Sequence, residues 1–375
     1  MDGGPAPTAT KRANHPSFEP RKTRDFIAFQ EFVRASFIHA NGDLVDEIFR
    51  GYESERARLG RPNTDATARE LLDRQPQYQI KAWATRYLRQ MKYSLAGLGI
   101  ASLVDSQAND LSRELDTICA DAGDALDLDP TLQAPDYFKW VDFHQQPGGV
   151  AGDALAGLKY DIGRRTTNPV LANADRPYSL LFEYLPKDRE FQRVLDWGTG
   201  HGGGAFRWLM EHPGSDVHGI DISAPCLRLA YARSRELGLN VRFSQQDIAR
   251  LKYADATFDL ALHLYMLHEI PRSVTPQVLK EVHRVLKPGG IFLGMDLALV
   301  DDAPAQHYVI QAEAWLNNEP FMWDCATGDY VAMGKAAGFS KVSAMPFDKQ
   351  LRLIPTGGDE GLPRRITWNV YMMEK

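Results

Sequence analysis

The apolar pair Val194-Leu195 runs directly into Asp196-Trp197-Gly198-Thr199-Gly200-His201-Gly202-Gly203. A strand passing straight into a glycine-rich turn and then a helix can lay its backbone amides against a ligand. Glycines there offer no Cβ to obstruct the approach and tolerate positive φ. Further on, Gly219-Ile220-Asp221-Ile222-Ser223 ends a second apolar run. A carboxylate at that tip can accept hydrogen bonds from both hydroxyls of a ribose. A third run ends in Gln246-Asp247-Ile248, where Asp247 can hold an adenine amino group and Ile248 can pack on the ring. The fourth ends in His263-Leu264-Tyr265, beside the non-nucleoside part of the same ligand. These residues describe a nucleoside site.

Gly198-x-Gly200-x-x-Gly203 also satisfies the dinucleotide pattern, in which a pyrophosphate rests on a helix N-terminus. Asp196 separates the readings: an anion immediately before the loop repels pyrophosphate and suits a cationic ammonium. S-adenosylmethionine (SAM), which lacks phosphate, therefore fits better than NAD. Transfer of its methyl group is an in-line displacement, helped by holding the acceptor close in a water-poor cavity. His268 and Glu269 follow the fourth run, and a neutral imidazole at His268 could take a hydroxyl proton. Tyr265 could line the methyl-donor pocket or bond a substrate heteroatom.

The elements that position these residues are legible from periodicity. Strands are predicted at 193–198, 216–222, 241–246, 258–265 and 290–299, with helices near 203–212, 224–237 and 274–286. Serial βα units imply right-handed crossovers and a doubly wound parallel sheet. After a helix at about 330–337, KVSAMPF and RRITWNVYMMEK follow with only a loop between, which predicts a closing antiparallel pair. The fold class expected is α/β, a Rossmann-like seven-stranded sheet with an antiparallel last strand. It carries an α-helical N-terminal cap with four to six helices. Residues 1–24 read as a disordered tail, 25–155 as the cap and 156–375 as the nucleoside-binding domain.

VLDWGTGHGGG, HGIDIS, QQDI, FDLALHLYMLHEI and RVLKPGGIFLGMDL resemble, in order and spacing, five motifs of class I SAM-dependent methyltransferases. The resemblance covers about 200 residues, and the wording of YMLHEIP, LKPGG and NNEPF is similar to the ubiquinone/menaquinone-biosynthesis-like small-molecule branch. It implies SAM as cofactor, bound by Asp196, Trp197, Gly198, Gly200, Gly202, Asp221, Ile222, Asp247, Ile248 and His263, with Tyr160 folded over it. Plant-type O-methyltransferases carry a catalytic His at the place of His268, which implies O-methylation here. The resemblance also implies substrate contacts in the segment from Trp315 to Trp323. By position, His144 could reach a substrate from the cap, and Arg165 could pair with a substrate carboxylate.

Composition bounds the partners. The 43 Lys and Arg against 49 Asp and Glu give a net charge of −6, with no basic excess to follow a phosphate backbone. A small-molecule substrate is expected, and nucleic acid is not. Three scattered cysteines and no ligand-spaced histidines predict neither disulfides nor metal. No apolar run is long enough to cross a bilayer, so a cytoplasmic protein is expected, with the cap as a surface that could pair two copies. Two other functions remain open at this level: an NAD(P)-dependent oxidoreductase on the same fold, and a SAM-binding regulatory protein that moves no methyl.

Overall fold

The computed structural model describes residues 18–167, 175–348 and 367–375. Eight strands form one sheet: β1 (Leu126–Asp127), β2 (Arg193–Trp197), β3 (Asp216–Asp221), β4 (Val241–Gln245), β5 (Phe258–Leu264), β6 (Leu286–Ala298), β7 (Lys341–Pro346) and β8 (Thr367–Glu374). Their order is β1-β4-β3-β2-β5-β6-β8-β7, with β8 antiparallel to both neighbours and the pairs from β1 to β6 parallel. The parallel strands are sequestered on both faces, which is why they read as near-continuous apolar runs. Alternate residues face opposite layers: Val194 joins the core with Leu260 and Leu293, and Leu195 joins the one with Ala261 and Phe292.

The helices are α1 (Arg24–Asn41), α2 (Asp43–Arg58), α3 (Asp65–Asp73), α4 (Pro76–Lys92), α5 (Ile100–Asp105), α6 (Ala108–Ala120), α7 (Asp136–Lys139), α8 (Ala156–Thr167), α9 (Asp175–Phe182), α10 (Gly203–Glu211), α11 (Ala224–Leu237), α12 (Thr275–Val285), α13 (Pro304–Leu316), α14 (Met322–Ala326) and α15 (Tyr330–Ala337). Thr64 caps α3, its hydroxyl accepting from the Thr67 N–H, as a Thr after a Gly-Arg-Pro break should. Among the described residues, no helix is long and apolar enough to cross a membrane.

Three details differ from the sequence reading. The sheet has eight strands, because Leu126-Asp127 leaves the region read as helical and pairs with Phe243-Ser244 of β4. Residues 18–23 are packed: Phe18 is buried, its N–H donates to Glu236, and Glu19 pairs with Arg165. The tail reading for residues 1–17 lies outside the described residues. Finally, α13 packs Val309 and Leu316 against Val45, Ile48 and Leu72 of α2 and α3. A segment following β6 thus completes the core of the cap.

The strand order reverses between β2 and β5, which neighbour each other while their outgoing connections lead to opposite halves of the sheet. Ligands of open α/β sheets bind in the crevice outside the carboxyl ends at such a point. The cap closes that crevice from above.

Candidate active site

A cavity with about 820 Å³ of space, part of it open to solvent, lies at this crevice. Its floor comprises Gly198 and Gly200 after β2, Asp221 and Ile222 after β3, Asp247 and Ile248 after β4, and Tyr265, Met266, Glu269 and Ile270 after β5. The cap and α8 add Tyr137, Phe138, Phe143, His144, Val150 and Tyr160. Close packing at the turn depends on missing side chains. A Cβ on Gly198, whose φ is +70°, would stand 2.4 Å from Met266 Cγ.

Asp221 faces the cavity while bracing the loop: Oδ2 accepts from Gly200 N–H at 2.9 Å and Oδ1 from Ser223 N–H at 2.8 Å. Burial pushes its carboxyl up from the usual range, against the pull of those amides. Asp247 Oδ1 accepts from Ala249 N–H at 2.9 Å. Two carboxylates flanked by Ile222 and Ile248 fit the ribose and adenine of SAM, and the glycine amides fit its linking portion. No lysine or arginine is among the described lining residues, so nothing there would neutralise a pyrophosphate.

Six residues expected at the cofactor, substrate or catalytic site lie outside the cavity lining. Asp196 is 1% exposed, and its Oδ2 accepts from Thr199 Oγ1 at 2.6 Å and Ala205 N–H at 2.9 Å. Through that oxygen it pins the glycine turn to the start of α10; burial pushes its carboxyl up to about 6. Trp197 and His263 are fully buried in ring contact, His263 also stacking on Phe292. Neither ring nitrogen of His263 has a partner among the described residues, and burial lowers it to about 4. Gly202, φ +90°, sits under Phe206 as the N-cap of α10. Arg165, a candidate for a substrate carboxylate, is occupied by Asp161 and Glu19.

His268 is the sixth. It is 7% exposed, and its Nδ1 lies 2.7 Å from Asp296 Oδ1 on β6. Burial alone would depress it, but Asp296 and then Glu269 outweigh burial and raise it to about 10. An imidazolium already protonated at neutral pH takes no proton from a substrate. Asp296 Oδ2 also accepts from Leu267 N–H at 2.7 Å, so the pair ties the turn after β5 to β6.

Glu269, in contrast, reaches the cavity. Its Oε1 lies 3.3 Å from His144 Nε2 and 3.6 Å from His268 Nε2, and its Oε2 has no hydrogen-bond partner among the described residues. Burial raises Glu269, and the two imidazoles lower it further than burial lifts it. His144 Nδ1 lies 2.7 Å from Glu319 Oε1, in the segment between α13 and α14. Donor atoms of His144, Glu269 and Glu319 lie within 4.8 Å of one another. The two ring nitrogens of His144 face different carboxylates, so the ring bridges them as a hydrogen-bonded cation. Glu319 carried no signal beyond membership of the segment after β6, and Cys226, Met266 and the aromatic residues of the cap carried none.

The sequence between β2 and β6 carries the likeness to known proteins. Residues 194–290 match the model of a methyltransferase domain. Over these residues the chain is similar to SAM-dependent methyltransferases. It is 29% identical over 188 residues to the ubiquinone/menaquinone biosynthesis C-methyltransferase UbiE of Rhizobium meliloti, covering 42% of this chain and 68% of that one. It is 36% identical over 117 residues to a fatty-acid O-methyltransferase of Mycolicibacterium smegmatis, covering 31% and 41%. The chain spans 34% to 68% of the length of the first curated relatives it matches. A Haemonchus contortus phosphoethanolamine N-methyltransferase solved with SAM is similar at TM-score 0.42 and 21% identity over 57% of each chain.

The methyltransferase loop itself makes a prediction. A Cβ on Gly204 would stand 2.8 Å from both carboxylate oxygens of Asp196. Gly204→Ala should displace the pin between loop and α10 and cost about 1–3 kcal/mol of stability. Urea titration should show a lower midpoint with an unchanged slope.

Proposed function

We propose that the chain methylates a small, uncharged, largely apolar acceptor, with oxygen as the favoured acceptor atom and Glu269 as the group that takes its proton. One observation carries this reading: the cavity that presents Asp221 and Asp247 at one side presents the carboxylate-bearing Glu269 and a cap wall of Tyr137, Phe138 and Phe143 at the other. When bound, SAM supplies an electrophilic methyl group on a sulfonium. The aromatic wall excludes water and orients a flat or apolar acceptor. Among the described lining residues the only basic one, His144, is occupied by two carboxylates, which disfavours an anionic acceptor.

Glu269 is kept ionised by two imidazoles and is therefore a weak base. That suffices for a hydroxyl, whose proton becomes acidic as the new O–C bond forms. The proton passes from the hydroxyl to the Glu269 carboxylate, which His144 holds. Glu269 thereby replaces His268, whose charge is committed to Asp296.

Thermal unfolding of the full chain tests the cofactor. SAM and S-adenosylhomocysteine should each raise the melting temperature and NADH should not. The reverse pattern would favour an oxidoreductase. For the base, Glu269→Gln should retain SAM binding and lose about 100- to 10,000-fold in methyl transfer, measured with labelled SAM. Normal transfer by that variant would return Glu269 to a structural role.

A further inference from the structure

The turn bearing His144 is conformationally costly. His144 has φ 59° and ψ 18°, and Gln145 has φ 63°, the left-handed region that residues with a Cβ enter reluctantly. Such backbone persists where surrounding contacts over-determine it, each residue costing about 1–3 kcal/mol. Several of those contacts run to the segment after α13. Gln145 Nε2 donates to Asn318 Oδ1 at 2.8 Å, and Asn318 Nδ2 donates to Asp142 O at 3.0 Å. Locked in this way, the turn aims the imidazole between Glu319 and Glu269, with the Tyr160 ring of α8 stacked 5.5 Å away.

Every charged or titratable group facing His144 is accounted for: Glu269 from the turn after β5, Glu319 from the segment after α13, Tyr160 from α8, and His268 behind Glu269. Burial and Glu269 push Glu319 up, so two carboxylates held this close need a cation between them. The cap supplies that cation.

We propose that His144 is a positioning residue, delivered by the cap, which holds Glu269 in place for proton transfer and is itself clamped by Glu319. This rests on the reading of Glu269 as proton acceptor. With Oε1 engaged by His144, the Glu269 carboxylate is fixed at the cavity wall. Docking of the cap is then what assembles the reacting end of the site, beyond covering it. Without the imidazolium the two carboxylates repel, and Glu269 gains a proton or swings out of line.

The His144 cation has a defined pH window. Burial lowers its pKa, but Glu319 and Glu269 raise it to about 9, above the ordinary value of 6.5. The holding interaction is complete below pH 6.5 and is lost as pH rises through about 9. Methyl transfer by the wild-type chain should fall on that alkaline limb. If His144 were itself the base, transfer would rise there, and the proposal would be overturned.

The decisive experiment uses the full chain labelled with carbon-13 at the glutamate carboxyls, with the Glu269 resonance assigned by its absence in Glu269→Gln. In the wild type Glu269 should titrate below the usual glutamate range. In His144→Gln it should move up by about one unit or more. In Glu319→Gln it should stay low. A Glu269 titration unmoved by His144→Gln would overturn the proposal. Transfer assays separate the two readings. His144→Gln combined with Glu269→Gln should lose no more activity than Glu269→Gln alone, and additive losses would contradict action through Glu269. Full activity in Glu269→Gln would remove the base assignment and leave the titration result standing.

Discussion

Asp221→Ala should weaken SAM binding by at least about a hundredfold, because two hydrogen bonds to a carboxylate, at about 1.5–3 kcal/mol each, disappear together. Asp221 is already engaged by the Gly200 and Ser223 amides, so its orientation is set before a ligand arrives. That preorganisation makes its loss larger than that of a flexible surface acid. The same amides give the substitution a structural cost, and Asp221→Asn is the needed companion. The amide keeps the shape and one acceptor, so its affinity should fall between those of wild type and Asp221→Ala. Calorimetric titration with SAM and S-adenosylhomocysteine measures all three. Unchanged affinity in Asp221→Ala, with the fold intact, would mean that the nucleoside lies elsewhere.

Asp296→Ala should be the most destabilising single change considered, at about 3–5 kcal/mol, because it leaves a buried cation without its partner. Asp296 is fully buried, holds His268 at 2.7 Å and also accepts the Leu267 and Leu297 amides. The pH dependence identifies the cause. His268 is raised from 6.5 to about 10, so the stabilisation it gives is complete below pH 6.5 and lost as pH rises through about 10. Asp296 is lowered by His268 against the effect of burial, so its share is present above the ordinary aspartate range and fades on acidification. Wild-type stability should therefore decline from pH 6.5 toward 10, and in Asp296→Ala that decline should vanish or reverse. Denaturant midpoints across this range check it; parallel curves for the two proteins would show that the pair is not ionised.

Strands β2 to β8 were readable because a doubly covered sheet demands continuous apolar runs, as in β2 and β6, and because Gly198 and Asp221 sit where β2 and β3 must end. Sequence position also brings Tyr160, Gly200, Ile222, Asp247, Ile248, Tyr265 and Glu269 to the cavity. It does not reveal which way a side chain turns. His263 ends a strand beside the cavity, yet its ring faces the core between Trp197 and Phe292. Asp196 has the right type at the right turn, but it is buried and its Oδ2 is taken by Thr199 and Ala205. Partners distant in sequence decide the rest. His268 looks like a neutral base until Asp296, on another strand, charges it. His144 gains its role from Glu269 and Glu319, which only the docking of the cap and the α13 segment brings together.

The central claim is methyl transfer to a small molecule from this crevice. It is tested most directly by incubating the full chain with SAM carrying a deuterated methyl group and a pool of small phenols and alcohols, then analysing the products by mass spectrometry. The expected result is a neutral molecule carrying the labelled methyl, S-adenosylhomocysteine in equal amount, and neither product from Asp221→Ala. SAM bound with normal affinity but recovered intact with every acceptor, or label found only on protein or nucleic acid, would contradict the account.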